Sequence, residues 1–230
     1  MNRTVIPRRL WVTAGGLALA HVVLMLVGIM LQSTPTLTEG EAGIQDFYVD
    51  GDLVEIMTGG YIELVAFMLL IPAIVFLGRA IGRRTEAARW ATQTAAAAGI
   101  AYVALTVGSG LAPGAAALWG TQHGLALETA LVVNNVRNFA YFLGLALLGA
   151  HAVGLGVAAA ADGFSRRWVG WGGIATGAVL LVAVPGASVG LQDYASLVWL
   201  VWWIGVAVTL LLHRPSTAEI APEHLAVRHA

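Results

Sequence analysis

The sequence predicts an all-α membrane protein, a polytopic bundle of six transmembrane helices with both termini cytoplasmic. Three observations carry that prediction. Of 230 residues, 58% are hydrophobic and only 11% charged, against about half and about a quarter in soluble domains. Six apolar runs are long enough to cross a hydrocarbon layer, which takes about 20 residues at about 1.5 Å rise each. The basic residues, twelve in number and all arginine, fall with one exception on a single side once those runs are threaded as spans. A water-soluble globular enzyme is excluded, because its surface needs far more charge, and so is a disordered chain, whose apolar content is much lower. A net charge of −1 gives no reason to expect nucleic acid as a partner. With no cysteine, disulfide, thiolate and iron–sulfur chemistry are excluded.

The spans are expected at about Leu10–Leu31, Ile56–Leu77, Trp90–Ala112, Leu125–His151, Trp168–Ala187 and Tyr194–Leu212. They form one transmembrane domain over 1–213, followed by a polar cytoplasmic tail over 214–230. The first run is too long for a signal-peptide core, and Leu31-Gln32-Ser33-Thr34-Pro35 offers no small-x-small cleavage site, so it is read as a permanent span. Arg3, Arg8 and Arg9 precede span one, and Arg79, Arg83, Arg84 and Arg89 lie between spans two and three. Arg166 and Arg167 lie between spans four and five, and Arg214 and Arg228 follow span six. The opposite side carries Glu39, Glu41, Asp46, Asp50, Asp52 and Glu55 in its longest loop, with a turn expected at Gly51. The excess of arginine marks the cytoplasmic side, and the multi-pass protein is expected in the cell membrane. The acidic loop lacks EF-hand ligand spacing, so no metal is expected there.

The informative residues are those a hydrocarbon layer should exclude. In span four, Asn134, Arg137, Asn138 and Tyr141 share one helical face at about 100° per residue. An unpaired arginine at mid-depth costs roughly 2.5–3.5 kcal/mol on insertion scales, so that face must look into the bundle. Counted from Leu125, Arg137 lies about 18 Å and Asn134 about 13 Å below the boundary, Glu63 in span two about 10–12 Å, and His21 and Tyr102 about 15 Å. Glu63 is thus the expected partner of Arg137, with His21, Tyr102 and Asn138 beside them. The alternative is an ion pair that only locks helices.

Other features have plainer readings. Pro72 should kink span two, Gly173-x-x-x-Gly177 suits close helix packing, and Trp199, Trp202 and Trp203 would wall an apolar pocket. Trp11, Trp90, Trp168 and Trp171 are expected as interfacial anchors, and His123 before span four as a ligand contact. No cofactor is expected. A bis-histidine haem needs histidines at matched depth, whereas His151 and His213 fall at the cytoplasmic ends of their runs and His21 does not. No lysine exists to hold retinal, and no P-loop, H-E-x-x-H or G-x-S-x-G motif occurs.

The arginine-led first span, the acidic loop, Gly59-Gly60-Tyr61-Ile62-Glu63-Leu64 and the basic Arg79–Arg89 connection together resemble an uncharacterised family of bacterial six-span proteins, a domain of unknown function frequent in actinobacteria. That family implies the fold and no activity. The chain is also faintly similar to small integral-membrane terpene cyclases. That resemblance implies acid-initiated cyclisation of a polyprenyl substrate, with Glu63 and Asp193 as the matching catalytic acids.

Three functions follow as expectations. The first is a protein whose polar cavity binds or passes a small solute, ion or proton through Glu63, Arg137, Asn134, Asn138, His21, Tyr102 and Tyr141. The second is a membrane-embedded enzyme acting on a lipid or isoprenoid, with Glu63 as general acid, and the third is an accessory membrane subunit. The expected partners are the lipid bilayer, a small hydrophobic or ionic ligand, and a second copy or another membrane protein.

Overall fold

The computed structural model describes residues 6–36, 39–82, 84–164, 167–186 and 191–213. Arg3, Arg83, Arg166, Arg214, Arg228 and the tail over 214–230 lie outside the described residues. Most of the described residues are helical, and none is in a strand. The helices are α1 (Arg8–Gln32), α2 (Glu41–Tyr48), α3 (Leu53–Ala80), α4 (Glu86–Leu105), α5 (Ala112–Thr121), α6 (Leu127–Asp162), α7 (Arg167–Ala183) and α8 (Leu191–Leu211). A π-helical segment, Thr106–Leu111, joins α4 to α5 in one continuous rod. Pro113 at the start of α5 lacks the N–H of an ordinary helical turn, and the wide π turn precedes it directly.

Five helical rods among the described residues are long and apolar enough to cross a membrane: α1, α3, the α4–α5 rod, α6 and α8. The chain is therefore a membrane protein by the length and composition of its helices. The fifth expected span differs, since α7 has 17 residues and falls short by length. Two other spans run well past their expected ends. The third runs on to Thr121, and the fourth to Asp162, where Gly163 at φ +62° terminates it. The alanine- and glycine-rich stretch after His151 stays helical because its small residues let α6 lie directly on α4 and α7. A Cβ on Gly154 would stand 2.8 Å from the carbonyl of Ala91, and one on Gly156 2.6 Å from that of Gly170.

Helix caps follow from local chemistry. Asp52 accepts the backbone N–H groups of Val54 and Glu55 at the start of α3, and Thr85 accepts that of Ala88 at the start of α4. α3 runs unbroken through Pro72. Around the bundle the packing order is α8, α1, α3, α4, α6, α7 and back to α8, with α1 on α3 and α6 on α7 the most extensive contacts. The core is the interior of this ring: Phe67, Leu70, Ile74, Leu145, Leu180, Trp199 and Trp203 are fully or nearly fully buried.

Trp11 on α1 touches Phe76 of α3, Phe164 beyond α6 and His213 beyond α8. This gathers the ends that carry Arg8, Arg9, Arg79, Arg84, Arg89 and Arg167 at one end of the bundle, the arginine end. Arg84 reinforces it through a backbone bond to the Asp162 carboxylate at 3.1 Å. Trp11 is consequently buried, not the interfacial anchor expected, whereas Trp90, Trp168 and Trp171 are exposed. The tryptophans of α8 also depart from expectation. Trp199 and Trp203 stack at 5.6 Å, and Trp202 donates its indole N–H to the carbonyl of Val169 at 3.2 Å, so the three fill the ring.

At the opposite, acidic end the long loop is not irregular. Ile44, Phe47 and Tyr48 lie on one face of α2 and pack with Ile56, Ala117, Leu118 and Ala130 in a second small core. Thr121 Oγ1 donates to the carbonyl of Tyr48 at 2.6 Å, and Gln122 Nε2 to that of Gly51 at 2.9 Å. The loop is thereby pinned over α5 and α6.

Candidate functional site

Glu63 and Arg137 do not form an ion pair. Arg137 Nη1 donates to the hydroxyl of Tyr48 at 3.0 Å, and that hydroxyl donates onward to Asn134 Oδ1 at 3.5 Å. The guanidinium carbon lies 5.9 Å from the centre of the Phe47 ring. Glu63 instead accepts Nε2 of Gln32 at 2.6 Å, and it stays within electrostatic reach of Arg137 without touching it. Each group is therefore met by a neutral partner, and Arg137 keeps most of its five N–H donors without an acceptor among the described residues. Gly114 on α5 makes room for this side chain, since a Cβ there would stand 2.7 Å from Arg137 Nε.

Beside Arg137 and Gln32 lies a cavity of about 240 Å³. Arg137, Gln32 and Phe47 supply its polar and aromatic wall, and Leu64, Val107 and Leu111 part of its apolar wall. Its origin is local. Near the arginine end α3 and α4 pack closely, through Gly78 against Ala96 and Phe67 against Tyr102. Toward the acidic end the π segment and α5 contact α3 only weakly, and the cavity fills the wedge. π segments occur mostly as short insertions, frequently at functional sites.

The level of this site follows from helix register. Tyr141 on α6 contacts Ser196 on α8, and both helices run toward the arginine end. Arg137, four residues before Tyr141, is therefore level with Gln192 in the first turn of α8. That is nearer the acidic end than the count from Leu125 implies, because α6 is 36 residues long, about 54 Å, and its first turns project beyond α8.

The remaining expected residues are not brought to the cavity. Asn138 donates to the carbonyl of Asn134 one turn back in its own helix. Ser196 donates to the carbonyl of Gln192, so Tyr141 is the donor in its contact with Ser196 and ties α6 to α8. His21 is fully buried and donates Nδ1–H to the carbonyl of Ala66 at 2.8 Å, and Phe67 lies between it and Tyr102. Asp193 is exposed on α8, which is not a neighbour of α3 in the ring. His123 is exposed, bonded to the carbonyl of Trp119 and stacked on its ring.

His151 corrects the depth argument against paired histidines. It lies eleven residues before the end of α6, against thirteen from the start of α1 for His21, so the two are at similar depth. His151 also donates Nδ1–H to a carbonyl, that of Ala95. Both Nε2 atoms lack a partner, but the Trp199–Trp203 stack links the two rings and occupies the bundle interior.

Three residues that build the site are absent from the sequence-based expectation: Gln32, Tyr48 and Gly114. Tyr48 had a signal in the spacing of Ile44, Phe47 and Tyr48, which puts them on one helical face. As the shared partner of Arg137 and Asn134, Tyr48 anchors α2. Tyr48→Phe should cost about 1 kcal/mol and raise amide hydrogen exchange over Glu41–Tyr48, while exchange in α8 stays unchanged. Equal exchange in α2 of both proteins would show that the hydroxyl does not hold it. Comparison with protein-family models, with curated proteins and with solved structures returns no match to this chain.

Proposed function

We propose that this chain is a six-span protein of the cell membrane, with both termini cytoplasmic, whose cavity beside Arg137 binds a small solute. The sixth span is α7. It starts beside the arginine end and leads to α8, which starts at the acidic end, and its 17 residues reach about 26 Å. The arginine end faces the cytoplasm by the positive-inside rule.

One observation carries the binding function: a guanidinium with no carboxylate of the described residues in ion-pair range, opening onto a partly open cavity of about 240 Å³. Binding is favoured over passage because the ring beneath the cavity is filled by His21, Phe67, Tyr102 and the tryptophan stack. It is favoured over acid-initiated cyclisation because Glu63 is held by Gln32 and does not line the cavity. Native mass spectrometry of protein released from its own membranes tests this. The wild type should retain a bound species. Gly114→Ala, whose methyl displaces the guanidinium, should retain it about tenfold less, a loss of about 1.4 kcal/mol. Equal retention in both proteins would overturn the proposal.

A further inference from the structure

We infer that the solute is a single-chain amphiphile with a compact anionic head, drawn sideways from the leaflet at the acidic end. This rests on the cavity being a binding site, and the geometry adds the chemistry of the ligand and its route.

The cavity is elongated along the helices. Its α3 wall runs from Ile56 to Leu64, eight residues or about 12 Å, and faces Val107 and Leu111 across the wedge. Arg137 is the cationic group of the lining and most of the rest is apolar, the division expected for one charged head and one chain. Arg137 provides a fork of N–H donors that matches a carboxylate or phosphate. Gln32 has its Nε2 committed to Glu63 and contributes an amide oxygen, so Arg137 is the dominant recognition element.

The mouth is lateral. Met57 and Tyr61 line the cavity and are also exposed, Tyr61 to 67%, on the flank of α3 that lipid covers. Tyr61 and Tyr194, which is 71% exposed, sit near the acidic ends of α3 and α8, where amphipathic rings mark the membrane interface. Register puts Arg137 level with the first turn of α8, the depth at which Tyr194 sits. A lipid anion in that leaflet thus has its head level with the guanidinium, and its chain points down the apolar slot. A water-soluble anion would gain nothing from Leu64, Val107 and Leu111, and a cation would be repelled.

The test is equilibrium binding of decanoate, decanol, decyltrimethylammonium and butyrate to the protein in zwitterionic nanodiscs, with empty nanodiscs subtracted. Decanoate should bind stoichiometrically, and each of the other three at least about tenfold more weakly. Arg137→Gln should weaken decanoate by a similar factor. Gly60→Leu should abolish it, because its side chain grows into the slot without a backbone clash, the nearest atom to a Cβ there being the Gln32 amide oxygen at 3.6 Å. Ala115→Leu fills the slot from the facing wall and repeats the test where Gly60→Leu fails to fold. Decanol binding as tightly as decanoate would overturn the anionic head. Butyrate binding as tightly would overturn the amphiphile and leave the binding cavity standing. Failure of every probe to respond to all three variants would overturn both.

Discussion

Gly177→Val is expected to lower the stability of the bundle by about 3 kcal/mol, the upper end for overpacking, and to be the most damaging single change away from the cavity. α6 and α7 meet backbone to backbone. A Cβ on Gly177 would stand 2.5 Å from the carbonyl of Gly149 and 2.8 Å from the amide nitrogen of Val153. Neither atom can yield without moving α6 itself. One turn earlier, Gly173 is equally close to the carbonyl of Ala152 and to Trp202. In a bilayer, helices gain little from hiding apolar surface and depend on close packing, so separating α6 from α7 removes the contact that holds α7 in the ring. Tryptophan-detected melting in detergent should show a markedly lower transition for Gly177→Val. Gly172→Ala is the control, because its Cβ would meet only the side chains of Trp202 and Trp168, none closer than 3.1 Å. Equal transitions for the two variants would mean that the α6–α7 crossing contributes little.

Gly173-x-x-x-Gly177 and the membrane class were legible because both are one-dimensional signals, a small-residue spacing and a shortage of charge. The gathering of arginines at one end was legible for the same reason, and the Trp11 contacts with Phe76, Phe164 and His213 realise it in space. Arg137 and Asn134 stood out as polar groups in an apolar run. What stayed hidden was azimuth. Depth counting put Glu63 near Arg137, and the two are near, but it cannot say which way each side chain turns. Gln32 took Glu63, and Tyr48 took Arg137. Gln32 carries no signal because polar residues are ordinary at the end of a span, and α2 only a weak one because eight residues are shorter than the window in which helical periodicity can be counted. The extension of α6 past His151 is not legible in the sequence, because bilayer thickness sets no need for it, whereas glycine and alanine contacts with α4 and α7 carry the helix eleven residues further.

Gln32→Leu should expose how the two ends of the site are coupled. Among the described residues Gln32 supplies the one hydrogen bond to the Glu63 carboxyl, and leucine leaves that group partly buried without it. The expected cost is about 1–3 kcal/mol, the price of an unsatisfied buried polar group. Glu63→Leu leaves the Gln32 amide beside the cavity, where water or a ligand can reach it, and should cost less. The double variant removes both partners together and should be more stable than the sum of the two single losses by about 1–2 kcal/mol, an interaction energy within the range for residues in contact. Glu63→Gln separates charge from hydrogen bonding, because an amide can accept Nε2 of Gln32 in the same geometry. Its stability should stay within about 0.5 kcal/mol of the wild type if the bond is the main contribution, and a larger loss would assign the stabilisation to attraction between Glu63 and Arg137. Strict additivity of Gln32→Leu and Glu63→Leu would show that the 2.6 Å contact stabilises nothing. Since Gln32 also lines the cavity, its amide is the physical link by which a change at Glu63 reaches the cavity wall.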